Sequence, residues 1–333
     1  MADLPFRVGV TAEVQQEDGS TVYDLSLLEE APEVEWRFLS DQASELDRQH
    51  VDGLDAVVVF MGRVSAQTLS GPHPPLVVAR LGVGYDTVDV DACTERGVLL
   101  TITPDGVRRP MASAALAFML ALGHALPQKD RHIRAGGWNR FAYGGVALTG
   151  RTLGLIGVGN VGADLVALVA PFGMRCLAHD PYVHDPPRAV ELAQLETVFA
   201  EADFVVVCCP LTEETRRLVN AERLALMKPT AFLVNVARGP IVDQAALTRA
   251  LQERRIGGAA LDVFEQEPID PGDPLLSLDN VVLAPHSIGL TDELFRESGR
   301  SACRAVVDVA RGRVPACVVN PEALRHPRLE HLR

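Results

Sequence analysis

The sequence predicts an α/β protein built on two mostly parallel sheets, and three observations carry that expectation. Short apolar runs alternate with polar, helix-like stretches through the first third of the chain. A second and more regular series of apolar runs follows Arg151, and one of them leads directly into a glycine-spaced turn. Alternation of strand-like and helix-like segments is the pattern of parallel sheets covered by helices.

The first series comprises Phe6–Val10, Leu25–Glu30, Val34–Leu39, Ala56–Phe60, Leu76–Leu81 and Val98–Ile102. From Arg109 to Leu126 an Ala- and Leu-rich stretch has almost no surface-type residues, which predicts a long helix buried between domains or subunits. After Arg151, the runs TLGLIGVG, MRCLAHD, FVVVCCP, AFLVNVA, GGAALDV and NVVLAP each predict a strand. Their unbroken apolar character suits strands covered on both faces. A final helix is expected from Thr291 to Arg311, followed by VPACVVN and a short polar tail.

Composition narrows the partners. The chain has 333 residues, 47% of them hydrophobic, enough for two ordinary cores. A formal charge of -13 repels polyanions, so neither nucleic acid nor an anionic membrane is an expected partner. Cys93, Cys176, Cys208, Cys209, Cys303 and Cys317 show no metal-ligand spacing, so no metal is expected. The opening MADLPFRVGV lacks a signal-peptide pattern, and reduced thiols in a cytoplasmic protein follow. The apolar stretch Met111–Leu126 is broken by Ser113, Gly123 and His124, which favours a buried helix over a membrane span.

Gly157, Gly159 and Gly162 stand in G-x-G-x-x-G spacing, directly after an apolar strand, with Asn160 and Val161 between them at the head of a helix. Small residues let the turn close and the backbone approach a pyrophosphate, whose charge a helix N-terminus favours. Asp180 ends the next strand, where a carboxylate accepts hydrogen bonds from an adenosine ribose and repels the extra phosphate of NADP. NAD is therefore expected in preference to NADP. The plainer alternatives are an ordinary tight turn and, for Asp180, a helix cap or a loop acid.

Arg238 in VNVARG, Glu267 in LDVFEQEP and His286 in LAPHSIG follow three predicted strands, at the end where open parallel sheets place their ligand crevice. Together they suit the reduction of a 2-oxo acid. The planar fork of Arg238 can grip substrate oxygens while staying charged. An imidazole at His286 can deliver a proton, with a Glu267 carboxylate to hold its charged form and fix its orientation. Singly, each has a plainer reading: a capping arginine, a loop acid before Pro268, a satisfied buried imidazole.

The segments ARLGVGYDTVDVDACTERGV, LTGRTLGLIGVGNVGADL, HDPY, CPLTEETR, LMKPTAFLVNVARGPIVDQAAL, GGAALDVFEQEP and NVVLAPHSIG resemble the D-isomer-specific 2-hydroxyacid dehydrogenase family over most of the chain. The resemblance implies a Rossmann NAD-binding domain, residues 104–291, inserted into a flavodoxin-like substrate domain, residues 1–103 and 292–333, both of them doubly wound. It implies a homodimer held largely by the nucleotide domains, and a small 2-hydroxy or 2-oxo acid as substrate. Residue by residue, it makes Arg238 the substrate anchor, His286 the acid/base and Glu267 its partner. The backbone at Val83 and Gly84 becomes a carboxylate cradle, and Asp262 a contact for the nicotinamide amide. Pro210, Thr212 and Thr215 fall where the family lines the adenosine side, and Ala237 and Ser287 join the cofactor contacts.

The glutamate argues against the formate dehydrogenase branch, which lacks it. Oxidation of phosphite or of a phosphorylated hydroxy acid stays open, as does an NAD(H)-sensing role like that of related corepressors. The absence of a following regulatory domain weakens a feedback-controlled biosynthetic role. The run RRPMASAALAF departs from the commoner A-V-A-E-H-like pattern and puts Arg108, Arg109 and Met111 near the expected cleft. One arginine could read a second anionic group; the favoured reading is two solvated arginines flanking a helix start. Ser287, in the departing run APHSIGLTDE, either bonds the cofactor or completes a turn. The particular acid and the physiological direction stay open.

Overall fold

The strand-like segments pair as two all-parallel sheets in the computed structural model, which describes residues 4–40 and 45–332. Residues 1–3, 41–44 and 333, all within the expected substrate domain, lie outside the described residues. The chain divides into two compact units, Met1–Val107 with Leu290–Arg333, and Arg108–Gly289.

The first unit contains, in chain order, β1 (Phe6–Val10), α1 (Ser26–Glu29), β2 (Val34–Phe38), β3 (Glu45–Leu46), α2 (Arg48–Val51), β4 (Ala56–Val59), β5 (Arg63–Val64), β6 (Val77–Arg80), α3 (Val90–Glu95) and β7 (Leu99–Thr101). Five of these strands form a parallel sheet in the order β2-β1-β4-β6-β7, the doubly wound arrangement, and β3 pairs with β5 apart from it. Every residue of β4 and β6 is buried, as strands covered on both faces require. The apolar run Leu25–Glu30 coils into α1, because the Asp24 carboxylate accepts the amide and hydroxyl of Ser26 and turns the chain there.

The second unit takes most of α4 (Pro104–Gly123) and then α5 (Leu126–Arg134), β8 (Thr152–Ile156), α6 (Asn160–Val169), β9 (Arg175–His179), β10 (Val190–Leu192), α7 (Leu195–Glu201), β11 (Phe204–Val207), α8 (Ala221–Leu226), β12 (Phe232–Asn235), α9 (Gln244–Gln252), β13 (Gly258–Leu261) and β14 (Val281–Leu283). Its seven strands run parallel in the order β10-β9-β8-β11-β12-β13-β14. The order reverses between β8 and β11, which is where such sheets open a ligand crevice. Helix α4 lays Ala112, Ala115, Phe118 and Met119 against Leu153, Leu155 and Leu165 on one face of this sheet. Phe199, Ile241 and Leu247 belong to the core of the other face.

Helix α4 starts at Pro104, earlier than the apolar pattern from Arg109 suggests, because proline is well suited to a first helical position. Its first turn belongs to the first unit: a Cβ on Gly106 would stand 2.5 Å from the Ser298 amide nitrogen. Ser298 lies on α10 (Asp292–Ala310), whose N-terminal amide at Leu294 is capped by the Thr291 hydroxyl. Among the described residues no single helix is long and apolar enough to cross a membrane, and α4 with α5 passes that test only as a pair bent by 59°.

Candidate active site

The three glycines do three different jobs. Gly157 has a left-handed φ of 89°, and a Cβ there would stand 2.9 Å from the Cys209 Cα, so only glycine closes this turn against the end of β11. At Gly159, just before α6, a Cβ would meet nothing within 4 Å. At Gly162 it would stand 2.9 Å from the Gly157 carbonyl oxygen, so the helix packs directly on the turn. An open backbone facing a helix N-terminus at Asn160 and Val161 fits a dinucleotide pyrophosphate.

Asp180, after β9, is tied into the same turn. One carboxylate oxygen accepts the Val158 amide at 3.0 Å and the other the Tyr182 amide at 3.1 Å. Cys208, at the end of β11, donates its thiol to the Gly157 carbonyl at 3.0 Å. After β11, Thr215 donates to the Pro210 carbonyl at 2.7 Å and its hydroxyl accepts the Thr212 amide at 2.7 Å, which closes the loop into a fixed bend.

Arg238, Glu267 and His286 follow β12, β13 and β14 of this sheet. The buried Asn235, 1% exposed, accepts the Ala237 amide at 3.0 Å and donates to the Arg238 carbonyl at 3.0 Å. Arg238 donates to the Ala237 carbonyl at 2.7 Å. His286 Nδ1 and Glu267 Oε2 stand 2.7 Å apart, each side chain about one-third exposed. The other Glu267 oxygen accepts the Phe264 amide at 2.9 Å. Burial pushes the Glu267 carboxyl upward, but the bond from His286, the Phe264 amide and the positive charges of His286 and Arg238 outweigh it, and the net shift is downward. The glutamate is therefore held as a carboxylate beside the imidazole.

Asp262, at the end of β13, is 2% exposed and accepts the amides of Ser287 and Ile288 at 2.8 and 3.0 Å. The Ser287 backbone thus completes a turn. Arg108 and Arg109 sit inside α4 rather than before it, and both form ion pairs with Asp164 on α6, at 3.5 and 3.2 Å, without hydrogen-bond alignment. The two arginines are exposed, as expected, but they lie one turn inside the helix instead of flanking its start, and both face Asp164. Val83 and Gly84 lie in the first unit, in the loop after β6, where the buried Arg80 donates to the Gly84 carbonyl at 2.9 Å and the Thr103 hydroxyl accepts the Gly82 amide at 2.8 Å.

Sequence reasoning missed Asn235, Cys208 and the Phe264 peptide. Asn235 had a signal, a lone amide closing the otherwise apolar run AFLVN. The other two carry none, since their contacts join residues far apart in the chain or use only backbone atoms.

The glycine turn at the reversal of a parallel sheet defines a dinucleotide-binding α/β protein. The family model described as D-isomer specific 2-hydroxyacid dehydrogenase, NAD binding domain, matches residues 116–287. The glyoxylate reductase of Korarchaeum cryptofilum is 37% identical over 328 residues, 96% of this chain and 97% of that protein. The D-3-phosphoglycerate dehydrogenase of Methanocaldococcus jannaschii is 36% identical over 317 residues, 93% of this chain and 59% of that protein. An NADPH-dependent glyoxylate/hydroxypyruvate reductase of Sinorhizobium meliloti, solved with NADP and malonate, matches with a TM-score of 0.81 at 29% identity, over 96% of this chain and 98% of that one. The chain belongs to the D-isomer specific 2-hydroxyacid dehydrogenase family and is an oxidoreductase acting on a CH–OH group with a nicotinamide cofactor.

Proposed function

We propose that the protein reduces a small 2-oxo acid, glyoxylate or hydroxypyruvate first, and in reverse oxidises the matching D-2-hydroxy acid. The observation that carries this reading is the 2.7 Å His286–Glu267 pair on the same sheet end as the glycine turn, with the charge of Arg238 acting on it. Glyoxylate reductases at 37% identity over nearly the whole chain support this substrate class over another small anion or an NAD(H)-sensing role.

NADH, when bound, would supply hydride chemistry at the substrate's C2. Arg238 grips the substrate carboxylate and polarises the neighbouring carbonyl. With Nδ1 taken by Glu267, His286 gives a proton from Nε2 to the substrate oxygen; in oxidation the neutral ring takes it back. Glu267 keeps the ring oriented and balances its charge. Gly157, Gly159, Asn160, Val161 and Gly162 take the pyrophosphate, while Pro210, Thr212, Thr215, Ala237, Asp262 and Ser287 line the rest of the cofactor site. Asp180 selects NAD over NADP by repelling a 2′-phosphate.

The protein acts as a homodimer through its second unit. Leu126, Ile133, Trp138 and Phe141 are exposed on α5 and the loop after it, the last two at 76% and 92%, and such a grouping calls for a partner surface. The six unpaired cysteines support a reducing, cytoplasmic setting.

The test is the loss of NADH absorbance with glyoxylate, hydroxypyruvate, pyruvate, 2-oxoglutarate, phenylpyruvate and a phosphorylated 2-oxo acid, with NADPH in parallel. Turnover of glyoxylate and hydroxypyruvate with NADH is the expected result. Turnover only of the phosphorylated acid, or none at all with NADH bound, rejects it.

A further inference from the structure

We infer that Asp262 is the positioning residue of the catalytic set, fixing His286 through three successive backbone amides, and that the segment it begins, Asp262–Phe264, holds Arg238, Glu267 and His286 in register. The inference rests on the roles proposed above for those three residues.

His286 has a left-handed φ of 53°, a conformation uncommon for any residue with a Cβ and held where surrounding contacts favour it. Here the contacts come from one residue. The Asp262 carbonyl accepts the His286 amide at 2.7 Å, and its Oδ1 accepts the next two amides, Ser287 at 2.8 Å and Ile288 at 3.0 Å. The carboxylate is 2% exposed, so little water competes for those bonds. Backbone direction at His286 sets where its ring emerges, and the ring must meet Glu267 at one side and substrate at the other.

Two residues on, the Phe264 peptide completes the bracket. Its N–H is donated to Glu267 Oε1 at 2.9 Å. Its carbonyl lies so close to Gly239 that a Cβ there would stand 1.7 Å from the Phe264 oxygen. Gly239 follows Arg238 directly, so the absence of one side chain lets the arginine-bearing loop close on the segment that orients glutamate and histidine. A displacement of about 1 Å in such a set costs roughly a hundredfold in rate.

The experiment compares Asp262→Asn, Asp262→Ala, Gly239→Ala and His286→Ala in full-length protein, reading kcat with glyoxylate and NADH affinity by fluorescence, with thermal melts as a check on folding. Asp262→Asn keeps an oxygen able to accept both amides and is expected to hold kcat within about tenfold of the parent, whereas Asp262→Ala loses about a hundredfold in kcat at saturating NADH, in addition to the fall in NADH affinity that follows from its place in the cofactor site. Gly239→Ala is expected to follow Asp262→Ala. An equal collapse in Asp262→Asn would show that charge rather than acceptor geometry matters, and overturns the inference even if Asp262→Ala does not fold. Parental kcat in Asp262→Ala, or a loss confined to NADH affinity, overturns it too. If His286→Ala keeps parental turnover, the acid/base reading itself has failed, whatever the Asp262 variants do.

Discussion

The carboxylate of Asp180 accepts the amide of Val158 at 3.0 Å, inside the glycine turn. The acid proposed to meet the adenosine ribose is thus also a strut of the loop proposed to meet the pyrophosphate. Asp180→Ser therefore has two effects. Removing the negative charge raises the ratio of kcat/KM with NADPH to that with NADH by about tenfold to a hundredfold, each tenfold being about 1.4 kcal/mol. Freeing the Val158 amide raises KM for NADH as well. Steady-state kinetics with both cofactors read the two effects together, and an unchanged ratio rejects the selective role of Asp180.

His286 and Arg238 are expected to fail differently. His286→Ala removes the proton donor and lowers kcat by about a hundredfold to ten-thousandfold, with KM for the oxo acid little changed. Arg238→Ala removes a group that grips substrate before and during reaction, so KM rises and kcat falls. A variant at Arg238 with a parental KM for glyoxylate would remove it from the anchoring role.

Much of this arrangement can be read from residue order alone. Each apolar run of the second unit forms its strand, because a strand covered on both faces is marked by its composition. The glycine turn and the residues after β12, β13 and β14 follow from the rule that such sheets bind at their strand ends. What could not be read is set by contacts remote in sequence or by exposed faces. Helix α5 has no buried residue and lies against the second unit through Gln128 and Arg131, which donate to the Asp279 carbonyl some 150 residues away. In the sequence Asp262 is marked only as a cofactor contact implied by resemblance, and only the fold shows its oxygen taken by the turn that carries His286.

The Glu267–His286 pair gives a pH signature with a definite sign. The folded carboxyl lies below its ordinary value of 4.5, so its contribution to stability is fully present above that pH and is lost as pH falls through the lowered folded value. Glu267→Gln should thus melt lower than the parent at pH 6, and the difference should shrink as the pH is taken well below 4. The acid limb of activity should sit below the usual carboxylate range for the same reason. A melting difference that stays constant across this window would mean that the ionised pair does not stabilise the fold.

Asn320 gives the strongest expectation for stability. It is 1% exposed in the first unit, where its Oδ1 accepts the Leu100 amide at 2.8 Å and its Nδ2 donates to the Val98 carbonyl at 2.9 Å and the Thr94 hydroxyl at 3.1 Å. One side chain after α10 thereby makes one acceptor bond and two donor bonds to α3, β7 and the loop between them, more than 200 residues earlier. Asn320→Ala leaves the Leu100 amide and Val98 carbonyl buried without these partners, a loss of about 3 kcal/mol in total. For a unit of this size that lowers Tm by about 6 to 12 °C. Asn320→Asp keeps the acceptor but sets a carboxylate oxygen against the Val98 carbonyl, so it should be no more stable than the alanine variant. Calorimetric melts of the three proteins decide it: if Asn320→Asp melts with the parent, the donor bonds contribute nothing and only the Leu100 contact holds the C-terminal segment to the sheet.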